Sequence, residues 1–498
     1  MPMSEYRSRN QPHTPRSLLA AILLTVTALV HGQGLDLGLP DIGDPSGSLF
    51  TPAQEQRLGQ AFMRSVHKSM KVEKDPLLTA YIQSLGSRLI QSSPHVTGSF
   101  HFFLVDDPQI NAFAGPAGNI GTYTGLIATT ETESELASVL AHEIAHVTQN
   151  HLARTFDSVN RLNMPTAAMI LAAVVVGAAT NNPEAGLFVA QGAQAAQIQH
   201  QINFTRSNEQ EADSVGIAIL SGADFDPSAM AVFFDRMGKA TRLYRSGKLP
   251  EFLSTHPVTT DRIADAFGRA EDHPYRQRPE SLEYHLVKAI LKLRQIENPR
   301  QAVDYFASSL REKRYRNREA QQYGHALALI EERRYAEARP VLEALLGARP
   351  EQIHYIVAHA RLLALDGEGA AGIEQLRRAM RLYPGNYPLT LYLADALLEA
   401  GAAGEALALL EQQLPVYPGE TQMHARLARA AGETGDKALG HQYLAEYHYY
   451  SGDLEPAIQQ LEIALRDRQL PYHQSARLTA RLKQFKQERE ELKSREQK

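Results

Sequence analysis

A chain of 498 residues is too long for one hydrophobic core, and its length points to about three domain-sized units. With 43% hydrophobic and 21% charged residues it reads as a soluble globular protein, and a formal charge of −5 without a basic arm argues against nucleic-acid binding. No cysteine is present, which excludes disulfides and thiolate metal sites, so any metal must be held by His, Asp or Glu.

The chain opens with Arg7, Arg9 and Arg16 ahead of an apolar run from Leu18 to Val30. Val30-His31-Gly32 then precede Gln33 in the manner of a cleavage site. This is the layout of a secretory signal peptide over residues 1–32. The run of 13 residues is short beside the roughly 20 that span a membrane. An uncleaved anchor is the alternative. No cysteine follows the run, so a lipoprotein is excluded. Residues 33–50, rich in Gly, Pro and Asp, read as an extended lead-in.

Residues 51–270 mix helical and strand patterns and read as one domain. His101 to Val105 is a short β-rich run, and Ile110 to Ala114 a second. Gly115 to Gly121 reads as a turn. Thr132-Glu133-Ser134-Glu135 has capping-box spacing, with Glu135 reaching back, so a helix should start there. Leu136, Val139, Leu140, Ile144 and Val147 give that helix a buried face.

On that helix lie His142, Glu143 and His146. The two histidines are one turn apart, so both imidazoles reach one metal ion. Glu143 is placed to take a proton from a metal-activated water. A catalytic zinc needs a third protein ligand and an open position. The three-histidine pattern HExxHxxGxxH is excluded, because Gln149 and Leu152 stand where Gly and His are required. His151 is one residue out of phase and flanks the site or is exposed. A second helix around Phe204 to Leu220 offers Glu209 and Asp213 on one face, continued by Gly216, which allows close helix approach. Glu209 is expected as third ligand and Asp213 as the acceptor that orients a ligand histidine. Glu211 is the rival, on a different face.

Between the two helices, Met164 to Ala179 is strongly apolar but short for a span. It reads as a plug, a lid or a segment dipping into a membrane surface, with Ala190 to Gln201 as its returning helix. Further on, Thr255-His256-Pro257 opens a helix start.

Residues 271–282 read as a charged, Pro-containing linker, and everything beyond is helical. Pro350, Pro384 and Pro418 recur every 34 residues, as do Ala326, Ala360, Ala394 and Ala428, and Gly367, Gly401 and Gly435. That shared period is the tetratricopeptide signature, here over residues 283–483, with Glu283 to Leu310 a degenerate first unit. The register slips at Ala445 and Gly452, where one helix is expected to serve two units. Tyr392, Tyr443, Tyr447, Tyr449 and Tyr450 are candidates for a peptide-binding concave face or for inter-helix packing. Residues 484–498 read as a charged, solvated tail.

His142-Glu143-Ile144-Ala145-His146 followed by Glu209 and Asp213 resembles the M48 metallopeptidase family. The resemblance implies one Zn²⁺ per chain, held by His142, His146 and Glu209. Asn111, Ala112, Phe113 and Ala114 resemble the family's edge strand beside the cleft, which holds substrate by strand addition. In the family, a histidine set as His256 is here can take the fourth zinc position and keep the enzyme latent. The implied fold is mainly α: an α+β protease domain of zincin type with a small β-sheet, followed by an all-α tetratricopeptide solenoid. That architecture resembles periplasmic members of the family, which serve outer-membrane protein quality control. It implies β-barrel clients, the barrel assembly machinery as partner, and peptide binding through the repeats. A non-proteolytic chaperone and an integral-membrane protease are the competing readings.

Overall fold

The computed structural model describes residues 51–93, 96, 98–152, 154, 206–243, 251–274 and 279–496. The expected signal peptide, the lead-in, the apolar segment 164–179 and its returning helix at 190–201 lie outside the described residues.

Helix α1 (Pro52–Ser69) starts on a capping box. Thr51 Oγ1 accepts from the Gln54 amide at 3.3 Å, and Gln54 Oε1 accepts from the Thr51 amide at 2.8 Å. Helix α2 (Pro76–Gln91) begins with Pro76 behind Asp75, whose carboxylate accepts from the Leu77 amide at 2.9 Å.

Three strands follow: β1 (His101–Val105), β2 (Ala112–Ala114) and β3 (Asn119–Tyr123). Their order is β1-β3-β2, with β1 parallel and β2 antiparallel to β3. The expected turn at Gly115 to Gly121 is therefore wrong in its second half. A short 3₁₀ turn spans Pro116–Gly118, and the chain then forms the central strand, buried at all five positions. Asn119 and Gly121 disguise that strand. Gly121 is there for packing, because a Cβ would stand 2.4 Å from the Phe113 ring and 2.8 Å from the Phe103 ring. The second strand is shorter than expected, although the Asn111 carbonyl still accepts from the Tyr123 amide at 3.0 Å.

After α3 (Thr124–Thr129) comes α4 (Glu133–Thr148), the helix that carries His142, Glu143 and His146. Thr132 caps it, accepting from the Glu135 amide at 3.1 Å. The expected reciprocal bond is absent. Glu135 instead accepts from the Glu131 amide at 2.6 Å and pairs with Arg236. Helix α5 (Arg206–Gly222) crosses α4 at Gly216. A Cβ on Gly216 would lie 3.2 Å from the His142 amide nitrogen, so the two backbones touch there. Helices α6 (Ala229–Leu243), α7 (Glu251–Thr255) and α8 (Thr260–Glu271) complete this part.

Beyond it, α9 (Leu282–Arg294) and α10 (Pro299–Glu312) lead into stacked pairs. These are α11 (Arg318–Glu331) with α12 (Tyr335–Ala348), α13 (Ile353–Leu365) with α14 (Gly369–Leu382), and α15 (Tyr387–Glu399) with α16 (Ala403–Gln413). Helices α17 (Thr421–Glu433), α18 (Lys437–Tyr450), α19 (Leu454–Ala464) and α20 (Tyr472–Glu496) follow. Gly367, Gly401 and Gly435 end the first helix of successive pairs at φ 88°, 74° and 91°. Arg333 holds the same place one unit earlier at φ 60°, without glycine to mark it. At the register slip, α18 packs against both α17 and α19.

The tail is exposed along most of its described length but carries one buried side chain. Helix α20 runs through it and buries Phe485, whose ring stacks on Tyr449 at 4.4 Å. Glu488 accepts from the Tyr449 hydroxyl at 3.1 Å and pairs with Arg64 of α1. The tyrosines divide in the same way. Tyr443 and Tyr449 are buried between helices, and Tyr392 reaches Asp75 at 3.4 Å. Tyr450 stacks on His424 at 5.3 Å.

The end of the linker and the first helix of the repeats also grip the start of α4. Ser281 Oγ donates to Glu133 at 2.6 Å, and the Tyr284 hydroxyl donates to the Thr130 carbonyl at 2.9 Å.

One histidine inside the repeats makes stability pH-dependent. His354 is 5% exposed, and burial pushes its imidazole down from the usual 6.5 to about 4. The fold binds the neutral ring, so this contribution is whole above about pH 6.5 and is lost as pH falls toward about 4. The loss is on the order of 3 kcal/mol. In thermal melts across that window, wild type should lose stability relative to His354→Leu as pH falls. A constant gap between the two would contradict it.

Candidate metal centre

His142 and His146 project from one face of α4, and both are buried. Their Nε2 atoms meet at 3.0 Å. Glu209, on α5, brings Oε2 to 3.6 Å from His142 Nε2 and Oε1 to 3.5 Å from His146 Nε2. His256 follows α7 and sets Nδ1 3.3 Å from His142 Nε2 and 3.0 Å from Glu209 Oε1. One ligand atom from each of the four lies within 4.8 Å of the others. Ligands at about 2.0–2.2 Å around a tetrahedral ion stand about 3.3–3.6 Å apart, so this spacing suits one such ion.

The electrostatics agree with the geometry. Burial opposes ionisation of Glu209, but His256 and His142 outweigh it and hold the carboxyl well below its usual range. Burial disfavours the His142 imidazolium, but Asp213 and Glu209 lift it to about 10. At His146 burial prevails and pushes the ring down. Two buried carboxylates thus draw positive charge into the cluster, which a divalent cation supplies.

Asp213 Oδ1 lies 3.0 Å from His142 Nδ1, on the side of the ring away from the cluster. It is held in turn by Arg262, whose Nε and Nη2 each donate to it at 2.8 Å. Arg262 Nη1 also reaches Glu209 Oε2 at 2.7 Å and the Pro257 carbonyl at 2.9 Å. One buried guanidinium therefore ties Glu209, Asp213 and the turn after His256 together. The sequence reading missed Arg262. It sits in the first turn of α8 with no spacing that links it to the HExxH helix.

Glu143 is 1% exposed, and its Oε1 has no hydrogen-bond partner among the described residues. Burial raises its carboxyl above the usual value, with His256 and His142 opposing. His256 Nε2 stands 3.5 Å from that oxygen. An elevated carboxyl suits a group that must both take and return a proton.

Strand β2 packs on α4, at the edge of the sheet. Asn111 is buried and accepts from the Ala112 amide at 2.9 Å. Ala112, Phe113 and Ala114 pair with Thr122, Gly121 and Ile120. The Ala114 amide reaches Glu143 and lowers its carboxyl somewhat. The edge segment therefore touches the group expected to act as base.

Glu211 does not join the cluster. Its Oε2 meets His151 Nε2 at 3.2 Å and Arg154 Nη1 at 2.9 Å. His151 is fully buried and contacts His146 on the side away from the cluster.

Residues 76–270 match peptidase family M48, and residues 363–430 match the tetratricopeptide repeat. The beta-barrel assembly-enhancing protease of Yersinia pestis is 35% identical over 476 residues, 94% of this chain and 97% of that one. The protein of that name from Escherichia coli K12 is 34% identical over 477 residues, 96% of this chain and 97% of its own. The mitochondrial metalloendopeptidase OMA1 of Bos taurus is 28% identical over 228 residues, 45% of this chain and 42% of that one.

Proposed function

Because this chain belongs to peptidase family M48 and is a metalloendopeptidase, we propose that it holds one Zn²⁺ through His142, His146 and Glu209, with Glu143 as general base. The observation that carries this reading is the convergence of those three side chains beside a buried carboxylate with an elevated pKa. Zinc, when bound, supplies the Lewis acidity that polarises a peptide carbonyl and acidifies a water molecule.

The rest is the work of the chain's own residues. Glu143 takes the proton of the attacking water and gives it to the departing amine. Asp213 keeps His142 in one tautomer, and Arg262 keeps Glu209 and Asp213 in place. Strand β2, Asn111 to Ala114, aligns an extended substrate by adding it to the sheet edge. His256 is a latch. A fourth protein donor closes the site, whereas a catalytic site keeps one position open.

The relatives and the chain's organisation support a setting for this activity. The relatives that span the whole chain are named for β-barrel assembly. We place this protein in the periplasm, where it promotes assembly of outer-membrane β-barrel proteins at the barrel assembly machinery and degrades misassembled ones. The repeats dock clients and partners. No described helix is long and apolar enough to cross a membrane. Membership of a peptidase family favours this reading over a purely scaffolding role. The test is casein cleavage and zinc content of Glu143→Gln beside the parent. Full cleavage by the variant would remove Glu143 from its role.

A further inference from the structure

Each ligand imidazole has a second nitrogen, and its partner decides which tautomer the ring adopts. His142 presents that nitrogen, Nδ1, directly to Asp213 at 3.0 Å. His146 presents its own second nitrogen to an imidazole. Its Nε2 faces the cluster, so the proton of the neutral ring sits on Nδ1. That Nδ1 lies 2.8 Å from His151 Nδ1.

Two ring nitrogens at this distance share one proton between them. His151 Nδ1 is then the acceptor, and the proton of His151 sits on Nε2. Nε2 stands 3.2 Å from Glu211 Oε2, which accepts it. Arg154 Nη1 donates to the same oxygen at 2.9 Å. From His146 through His151 to Glu211, each donor points outward.

The local backbone is built for this contact. Helix α4 ends at Thr148, and Asn150 takes a left-handed conformation at φ 53°. Asparagine tolerates that region better than most residues. The kink folds His151 back against His146, although in sequence it falls out of step with the two histidines. Burial is complete at His151, while the Glu211 side chain is 37% exposed.

We infer that His151 and Glu211 are positioning residues for the metal centre: a histidine–carboxylate relay that holds His146 in its ligating tautomer and connects it to the protein surface. The two ligand histidines are thus held by different means. His142 has a buried carboxylate, and His146 has an imidazole that ends on a half-exposed one. This inference rests on His146 as a metal ligand.

The experiment is zinc affinity, measured by competition with a chromophoric chelator on the full protein. It is run for the parent, Glu211→Ala, Glu211→Gln and His151→Phe, with melting of each metal-free protein alongside. Because Glu211 is half-exposed, Glu211→Ala leaves the metal-free melting temperature unchanged. It weakens zinc binding about 10-fold, and Glu211→Gln, which keeps an acceptor oxygen, recovers most of that loss. His151→Phe weakens binding by about 10- to 100-fold. Parent-like affinity in Glu211→Ala overturns the relay, and so does a Glu211→Gln variant as weak as Glu211→Ala. A parent that binds no zinc overturns the ligand assignment, and the relay with it. The two failures are therefore distinguishable.

Discussion

Glu143→Gln keeps its zinc and loses peptide cleavage by about 10²- to 10⁴-fold. The two side chains have the same shape, so the buried site keeps its packing. What goes is the ability to accept a proton. Glu143 Oε1 has no hydrogen-bond partner among the described residues, so the change breaks no structural bond at that atom. The loss should fall on kcat and leave KM largely as it was, because the carboxylate acts in the transition state rather than in binding. Zinc content measured on the same preparation separates loss of the base from loss of the metal. Cleavage within a factor of a few of the parent would contradict the assignment.

His256→Ala has the opposite sign. The latch contributes Nδ1 to the cluster, sets its ring centroid 5.1 Å from that of Phe252 at a tilt of 33°, and is 2% exposed. Its removal frees the fourth position and should raise basal casein cleavage by about an order of magnitude, the scale of a typical coupling energy. The same truncation removes packing in the core, so the melting temperature should fall. Higher activity together with lower stability is the signature of a latch. Unchanged or lost activity in a variant that still folds would show that His256 serves the active conformation instead.

What was legible in the sequence was local or periodic. The His142 and His146 pair and the Thr132 cap needed only one helical turn to read. The period of 34 revealed the repeats because Gly367, Gly401 and Gly435 each meet the same left-handed requirement. Face-counting along one helix was enough to favour Glu209 over Glu211, and in the fold Glu209 lies among the histidines and Glu211 against His151.

What escaped was tertiary. Arg262 bonds to residues about fifty positions earlier, and nothing in its own helix marks it. The His146–His151 contact depends on the left-handed Asn150, which helical spacing cannot anticipate. Strand β3 was hidden because Gly121 makes room for two aromatic rings and so looks like a turn residue. The charged tail concealed Phe485, one buried side chain that fixes α20 against Tyr449. Arg333 shows the converse: a glycine position of the repeat survives in the backbone after the glycine itself is gone.

Zinc-edge X-ray absorption of the zinc-loaded protein reads the ligand shell itself. The expected result is one ion in a four-coordinate shell of nitrogen and oxygen at about 2.0–2.1 Å, with three imidazoles in the resting protein. His256→Ala should reduce the imidazole count to two and leave the ion in place. A resting spectrum without imidazole, or one that His142→Ala leaves unchanged, would contradict the ligand assignment.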